Sequence, residues 1–188
     1  MVREAGRRFA RRLAGHAGGS VAVEFALVLP LMLILYLCAF VLSDMIAANR
    51  KVTIAARTLT DLATRYSALS LTSTDTNAIA PILAAGQQVM YPYSSTNTFV
   101  RISQVCASST SATTVTVSWS QTSTGANART ANSTFTVGSG LFATGTCQIM
   151  GEVTYAYTPI FFTHTGATVY LTDTIYMTPR LSASIPLS

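Results

Sequence analysis

Residues 25–42 carry no charged side chain and are interrupted only by Pro30, Tyr36 and Cys38. Together with residues 20–23 they reach the roughly 20 apolar residues that span a bilayer, and no second run of that length follows. The sequence therefore predicts a single membrane pass. Immediately before the run stands Glu24, a carboxylate placed where lipid begins. At the centre of a bilayer such a charge costs on the order of 2.5 to 3.5 kcal/mol, and less near the surface, so its position calls for a compensating partner.

The formal charge of +5 is distributed unevenly. Arg3, Arg7, Arg8, Arg11 and Arg12 against Glu4 give the first 19 residues a charge of +4, whereas the rest, with 7 basic and 6 acidic residues, carries +1. A basic segment ahead of an apolar span is retained in the cytoplasm, so the N-terminus is expected inside the cytoplasmic membrane and the bulk of the chain outside. Without another basic cluster or an aromatic platform, nucleic acid is not an expected partner. Charged residues make up only 10% of the chain against 49% hydrophobic, with mean hydropathy +0.41, a balance that leans towards membrane or assembly.

Met45, Ala48, Val52, Ala55, Leu59, Leu62 and Tyr66 recur at alternating steps of three and four, one face of a helix that continues past the span. Arg57 with Asp61, and Asp61 with Arg65, lie four apart on the opposite side. An unbroken helix over residues 20–66 would be about 70 Å long. Its extramembrane stripe requires cover from the chain's own domain or another subunit. Residues 67–77 read as a connection, and Asn77 or Asp75 can cap a short helix over 78–90 that Tyr91-Pro92 ends. Residues 99–107, 113–120, 152–157 and 167–177 have strand composition. Val115, Val117 and Trp119 are expected on one face, as are Val153, Tyr155 and Tyr157. Residues 125–145 read as a long loop with one irregular strand around Phe135. The expected fold is α+β, a long N-terminal helix packed on an antiparallel sheet of about four strands. Its divisions are a basic leader (1–19), a transmembrane helix (20–43), a helical extension (44–66) and an extracytoplasmic α+β domain (67–188).

Cys38 lies in the apolar run as a packing residue. Cys106 and Cys147 fall in the translocated part, where an oxidising exterior favours pairing them; the alternative is two separate buried thiols. Chemistry for catalysis is sparse. His16 falls in the leader and His164, read as a loop residue, is the other histidine; no cysteine or carboxylate pair with metal-ligand spacing accompanies it. No Gly-x-Ser-x-Gly turn presents a nucleophile. The expectation is a protein without enzymatic activity, cofactor or metal.

Gly19, then Glu24 as the fifth residue after it, then a long apolar helix, resembles the arrangement read by type IV prepilin peptidases. With Ala22-Val23-Glu24-Phe25-Ala26-Leu27 and Pro30, followed by Asn49-Arg50 and Ala55-Ala56-Arg57, the chain resembles a TadE-family minor pilin, or pseudopilin, of the tight-adherence (Tad/Flp) pilus system. In the tail, residues 152–159 and Met177-Thr178-Pro179-Arg180 resemble strand motifs of such proteins; residues 67–150 carry no such likeness. The resemblance implies cleavage by a prepilin peptidase between Gly19 and Ser20. It implies that Glu24, Phe25 and Pro30 serve subunit assembly, Glu24 pairing with the new α-amino group of Ser20, its own or a neighbour's. The implied partners are the peptidase, the major pilin and other minor pilins, the inner-membrane assembly platform and membrane lipid.

Two other readings compete. An ordinary signal or anchor segment could precede a secreted or membrane-anchored β-domain that binds or adheres; against it, the apolar core is longer than the 7 to 15 residues usual for signals and opens with Glu24. A membrane-anchored enzyme is opposed by the scarcity of acids, bases and metal ligands.

Overall fold

A computed structural model describes residues 18–159 and 168–188; most of the predicted leader, His16, His164 and Ala167 lie outside them. Helix α1 spans Gly18–Thr64 and is continuous through Pro30. The chain divides into two compact units, Met1–Asp44 and Met45–Ser188. In the first, the described part is the N-terminal portion of α1.

The second unit follows from the stripe on α1. Ala48, Val52, Ala55 and Leu59 are fully buried, and Met45, Leu62 and Tyr66 pack against the same cluster. Burial of side chains such as Val52 and Leu59 contributes roughly 1.5 to 3 kcal/mol each. The stripe is wider than its periodicity predicts, because Ala56, Thr60, Ala63 and Thr64 are also buried. Thr60 and Thr64 remain satisfied there by donating to the Ala56 and Asp61 carbonyls at 2.7 and 2.9 Å.

What covers the stripe is the chain's own sheet. Strands β1 (Thr98–Ala107), β2 (Thr114–Thr122), β3 (Thr134–Thr136), β4 (Cys147–Tyr157) and β5 (Val169–Met177) form one sheet in the order β3-β2-β1-β4-β5, with every pairing antiparallel. The fold is α+β as expected, with five strands rather than about four. The fifth is the short segment at Phe135, and β4 begins earlier than its composition suggests. Gln148 and Gly151 obscure the alternation of its first half, although both are buried.

At Gly151 the sheet lies close against the helix. A Cβ added there would lie 2.1 Å from Thr60 Oγ1 and 3.3 Å from the Ala56 carbonyl oxygen, so only glycine permits this approach. Val153, Tyr155 and Tyr157 share the helix-side core as expected. Trp119 does not share a face with Val115 and Val117. The register shifts between Gln104 and Val105, where Gln104 opposes Trp119 and Val105 opposes Val117. This bulge leaves Ser118 as the extra residue and reverses the alternation. Trp119 thus joins the helix-side core, while Val115 and Val117 join a second cluster with Val105, Ala107, Phe142 and Met150 on the other face.

Helix α2 spans Ile79–Gln88 and ends before the cis Tyr91-Pro92 peptide. Its N-cap is Ala78, with no side-chain cap, which corrects the expectation for Asn77 or Asp75. Those side chains close the preceding turn: Ser70 Oγ donates to Asp75 at 2.5 Å and Asn77 Nδ2 to the Ala68 carbonyl at 3.0 Å. The Ile79 N–H is satisfied by the Ser70 carbonyl instead. The C-terminal tail straps the unit together. Ile185 is fully buried, its N–H donates to Gln104 Oε1 at 2.6 Å, and its carbonyl accepts from Trp119 Nε1 at 2.7 Å. Leu69 and Leu187 form a parallel bridge beside it.

Candidate functional site

The first unit presents α1 as an apolar sleeve. Val21, Val23, Phe25, Leu27 and Leu31 are all more than half exposed. The most apolar 18-residue window has mean hydropathy 2.8, and none of it is buried within the chain. Among the described residues this is one helix long and apolar enough to cross a membrane, which fits a single-pass membrane protein. A core helix of a soluble domain would bury one face; this one buries none, so its apolar surface requires lipid or other helices.

Glu24 is exposed on that sleeve. At helical spacing its neighbours one turn away are Val21, Leu27 and Val28. Gly19 and Ser20 belong to the same helix, and Ser20 stands four residues before Glu24, on the same side one turn back. Phe25 lies beside Glu24 and is 65% exposed. Pro30, inside the helix, has no N–H to offer the Ala26 carbonyl one turn earlier. The helix thus arranges the predicted cleavage and assembly residues along two turns, with Pro30 in the next.

The second unit holds the remaining predicted pair. Cys106 and Cys147 form a disulfide, directly opposed in the β1–β4 register. Cys38 is a free, exposed cysteine on α1. Among the described residues no three His, Cys, Asp or Glu side chains gather at metal-binding distance. A cleft of about 470 Å³ opens between Thr64 at the end of α1, the Gly140-Leu141 turn and residues 176–180. Its cation, Arg180, is engaged with Asp61.

Two ionic arrangements go beyond what spacing predicts. Glu152, buried on β4, receives Arg101 Nε at 2.7 Å and Nη2 at 2.8 Å, and Arg129 Nε at 3.0 Å and Nη2 at 2.9 Å. Burial pushes its carboxyl up, but the bonds from Arg101 and Arg129 outweigh it and hold the group below the ordinary value. The same bond raises Arg129, which lies over Phe135 at 4.8 Å and ties the long 125–145 loop to the sheet. The signal for this cluster was a lone acid in an otherwise apolar strand. Asp61 pairs with Arg65 at 2.7 Å as expected, and with Arg180 rather than Arg57. The Arg65 hydrogen bond is the largest influence holding its carboxyl below the ordinary value.

No curated protein and no solved structure matches the chain. Residues 19–60 match a family model described as TadE-like protein; the match covers α1 from Gly19 almost to its end and leaves the sheet and the tail motifs outside it. This segment, with its exposed apolar helix and Glu24, is similar to TadE-like proteins.

Proposed function

We propose that this protein is a minor pilin or pseudopilin of a Tad pilus, inserted by residues 20–43 with its second unit outside the cytoplasmic membrane. A prepilin peptidase cuts between Gly19 and Ser20. The mature subunit then joins or primes the fibre together with the major pilin, other minor pilins and the inner-membrane platform, and so serves adherence. The observation that carries this reading is a carboxylate on the fifth residue after Gly19, on a helix whose whole circumference is apolar and uncovered.

The chemistry is compensation of charge. Cleavage would create a cation at Ser20, four residues from Glu24. In lipid each charge alone is costly, and their attraction grows as the dielectric falls. An incoming subunit that brings Glu24 to such an amine offsets both costs and fixes the stagger between subunits. The apolar sleeve is then transferred from lipid to neighbouring helices with little change in hydrophobic free energy, so close packing and the ion pair decide association.

Mass spectrometry of the membrane-bound protein tests the first step. A mature N-terminus at Ser20 and co-purification with sheared pili are expected. A start at Met1, or beyond residue 43, rules the assignment out.

A further inference from the structure

Strand β5 is the end of the sheet, and among the described residues no strand pairs with its outer edge. Apart from the charge of Asp173, the edge lacks the usual guards. Across Val169–Met177 there is no proline, no lysine and no bulge against β4, and Tyr170 on it is 71% exposed. Such an edge is a template for another strand.

Which groups face outward follows from the neighbouring ladders. The Val100 carbonyl accepts from the Ser123 N–H at 2.9 Å, and the Val100 N–H donates to Ser123 Oγ, both on the side away from β4. Its partner Val153 therefore directs its backbone groups towards β5, and Asp173, opposite Val153, directs its own towards β4. The outward set is then Tyr170, Thr172, Thr174 and Tyr176. In agreement, the Thr174 N–H is taken by its neighbour's carboxylate, Asp173 Oδ1, at 2.8 Å.

The sequence of β5 names the occupant. Val-Tyr-Leu-Thr-Asp-Thr-Ile-Tyr-Met reads alike in both directions about Asp173: Thr172 with Thr174, Leu171 with Ile175, Tyr170 with Tyr176, Val169 with Met177. We propose that the outer edge of β5 pairs antiparallel with β5 of a second copy of this chain, about a two-fold axis through Asp173. In this register Thr172 opposes Thr174 of the second copy and Tyr170 opposes its Tyr176. All four are outward residues, so the ladder closes with correct hydrogen-bond parity. Thr–Thr, aliphatic and Tyr–Tyr cross-strand pairs are each favourable. The contact is isologous and self-limiting.

Asp173 sets the strength of the contact. On the axis it meets its own image in a non-hydrogen-bonded pair, and in the single chain it occupies the Thr174 N–H that pairing requires. It therefore holds the association weak. The axis stands perpendicular to the sheet and reverses every direction lying in its plane. Because α1 packs on the sheet from Met45 to Leu62, these helical segments run oppositely in the two copies.

Disulfide trapping tests the register in the detergent-solubilised full chain. In a Cys38→Ser background, Asp173→Cys places two thiols across the axis at a Cα separation of about 4.5 Å, within disulfide range. Tyr170→Cys, equally on β5, stands about 20 Å from its mate. Covalent dimer is expected from Asp173→Cys and not from Tyr170→Cys. By sedimentation, Asp173→Asn should tighten self-association about threefold or more. Thr172→Pro, which removes an outward N–H but no bond to β4, should weaken it about tenfold or more, with the near-ultraviolet signal of Trp119 reporting an intact fold. Equal trapping at positions 170 and 173, or self-association indifferent to Asp173→Asn, overturns the proposal.

Discussion

Replacing Gly151 by alanine tests how the helix is seated on the sheet. The new Cβ falls 2.1 Å from Thr60 Oγ1, and Thr60 Cβ and the Ala56 carbonyl oxygen both lie at 3.3 Å. Thr60 is fully buried on a β-branched side chain, with its hydroxyl engaged by the Ala56 carbonyl at 2.7 Å. Of its two other χ1 rotamers, one brings the methyl group into the space the hydroxyl leaves and the other moves the hydroxyl off the Ala56 carbonyl, while Thr60 Cβ and the Ala56 carbonyl oxygen still crowd the new atom, so relief of the overlap is costly. Overpacking of this kind costs about 1 to 3 kcal/mol, and the 2.1 Å approach argues for the upper half. Against it, alanine relieves the conformational cost of a strand glycine, about 0.5 to 1 kcal/mol. The overlap wins by about 1 to 2 kcal/mol. For a unit spanning Met45–Ser188 that corresponds to a fall in Tm of roughly 3 to 6 °C. Near-ultraviolet circular dichroism of the detergent-solubilised chain, through Trp119, reads the transition. Thr60→Ala removes the closest atom, so the double variant should recover at least half the loss, with a coupling of about 1 kcal/mol. A Gly151→Ala protein as stable as the parent, or strictly additive effects, would refute the seating described.

Glu24→Gln should permit cleavage after Gly19 yet impair incorporation into pili, whereas Gly19→Leu should block cleavage; immunoblots of membranes and sheared pili distinguish the two, and normal piliation with Glu24→Leu refutes the charge pairing. Glu152→Gln leaves Arg101 and Arg129 without their counter-charge and should destabilise by about 1 to 3 kcal/mol in urea unfolding, less than a wholly buried pair because both guanidiniums reach solvent. Because the folded Glu152 carboxyl lies below its ordinary value of 4.5, its stabilisation is complete above about pH 4.5 and is lost as pH falls through the lowered folded value; the Gln variant should show a flatter acid limb. Reduction of Cys106–Cys147, which closes a separation of 41 residues, should cost about 4 kcal/mol in the loop-entropy description, read as a lower urea midpoint in reductant.

Sequence alone determined the elements whose cause is local. The apolar run, the stripe from Met45 to Tyr66 and the strand texture of β1 and β5 each repeat a simple period, and the structure places helix and strands close to those bounds. That Gly19 and Glu24 lie on one continuous helix was legible for the same reason. What the sequence left open depended on contacts between segments far apart in the chain. Whether the stripe met its own sheet or another subunit was decided by Gly151, where a missing Cβ lets the helix sit close. The face of Trp119 was decided by a bulge that one extra residue inserts, and alternation cannot reveal a reversal of this kind. Helical spacing supplied Arg65 for Asp61, but its second partner, Arg180, came from the tail, and those of Glu152 came from the neighbouring strand and the long loop, Arg101 and Arg129. Local periodicity fixes which surfaces are apolar; only the closed tertiary structure determines which apolar surfaces meet and which charges neutralise one another.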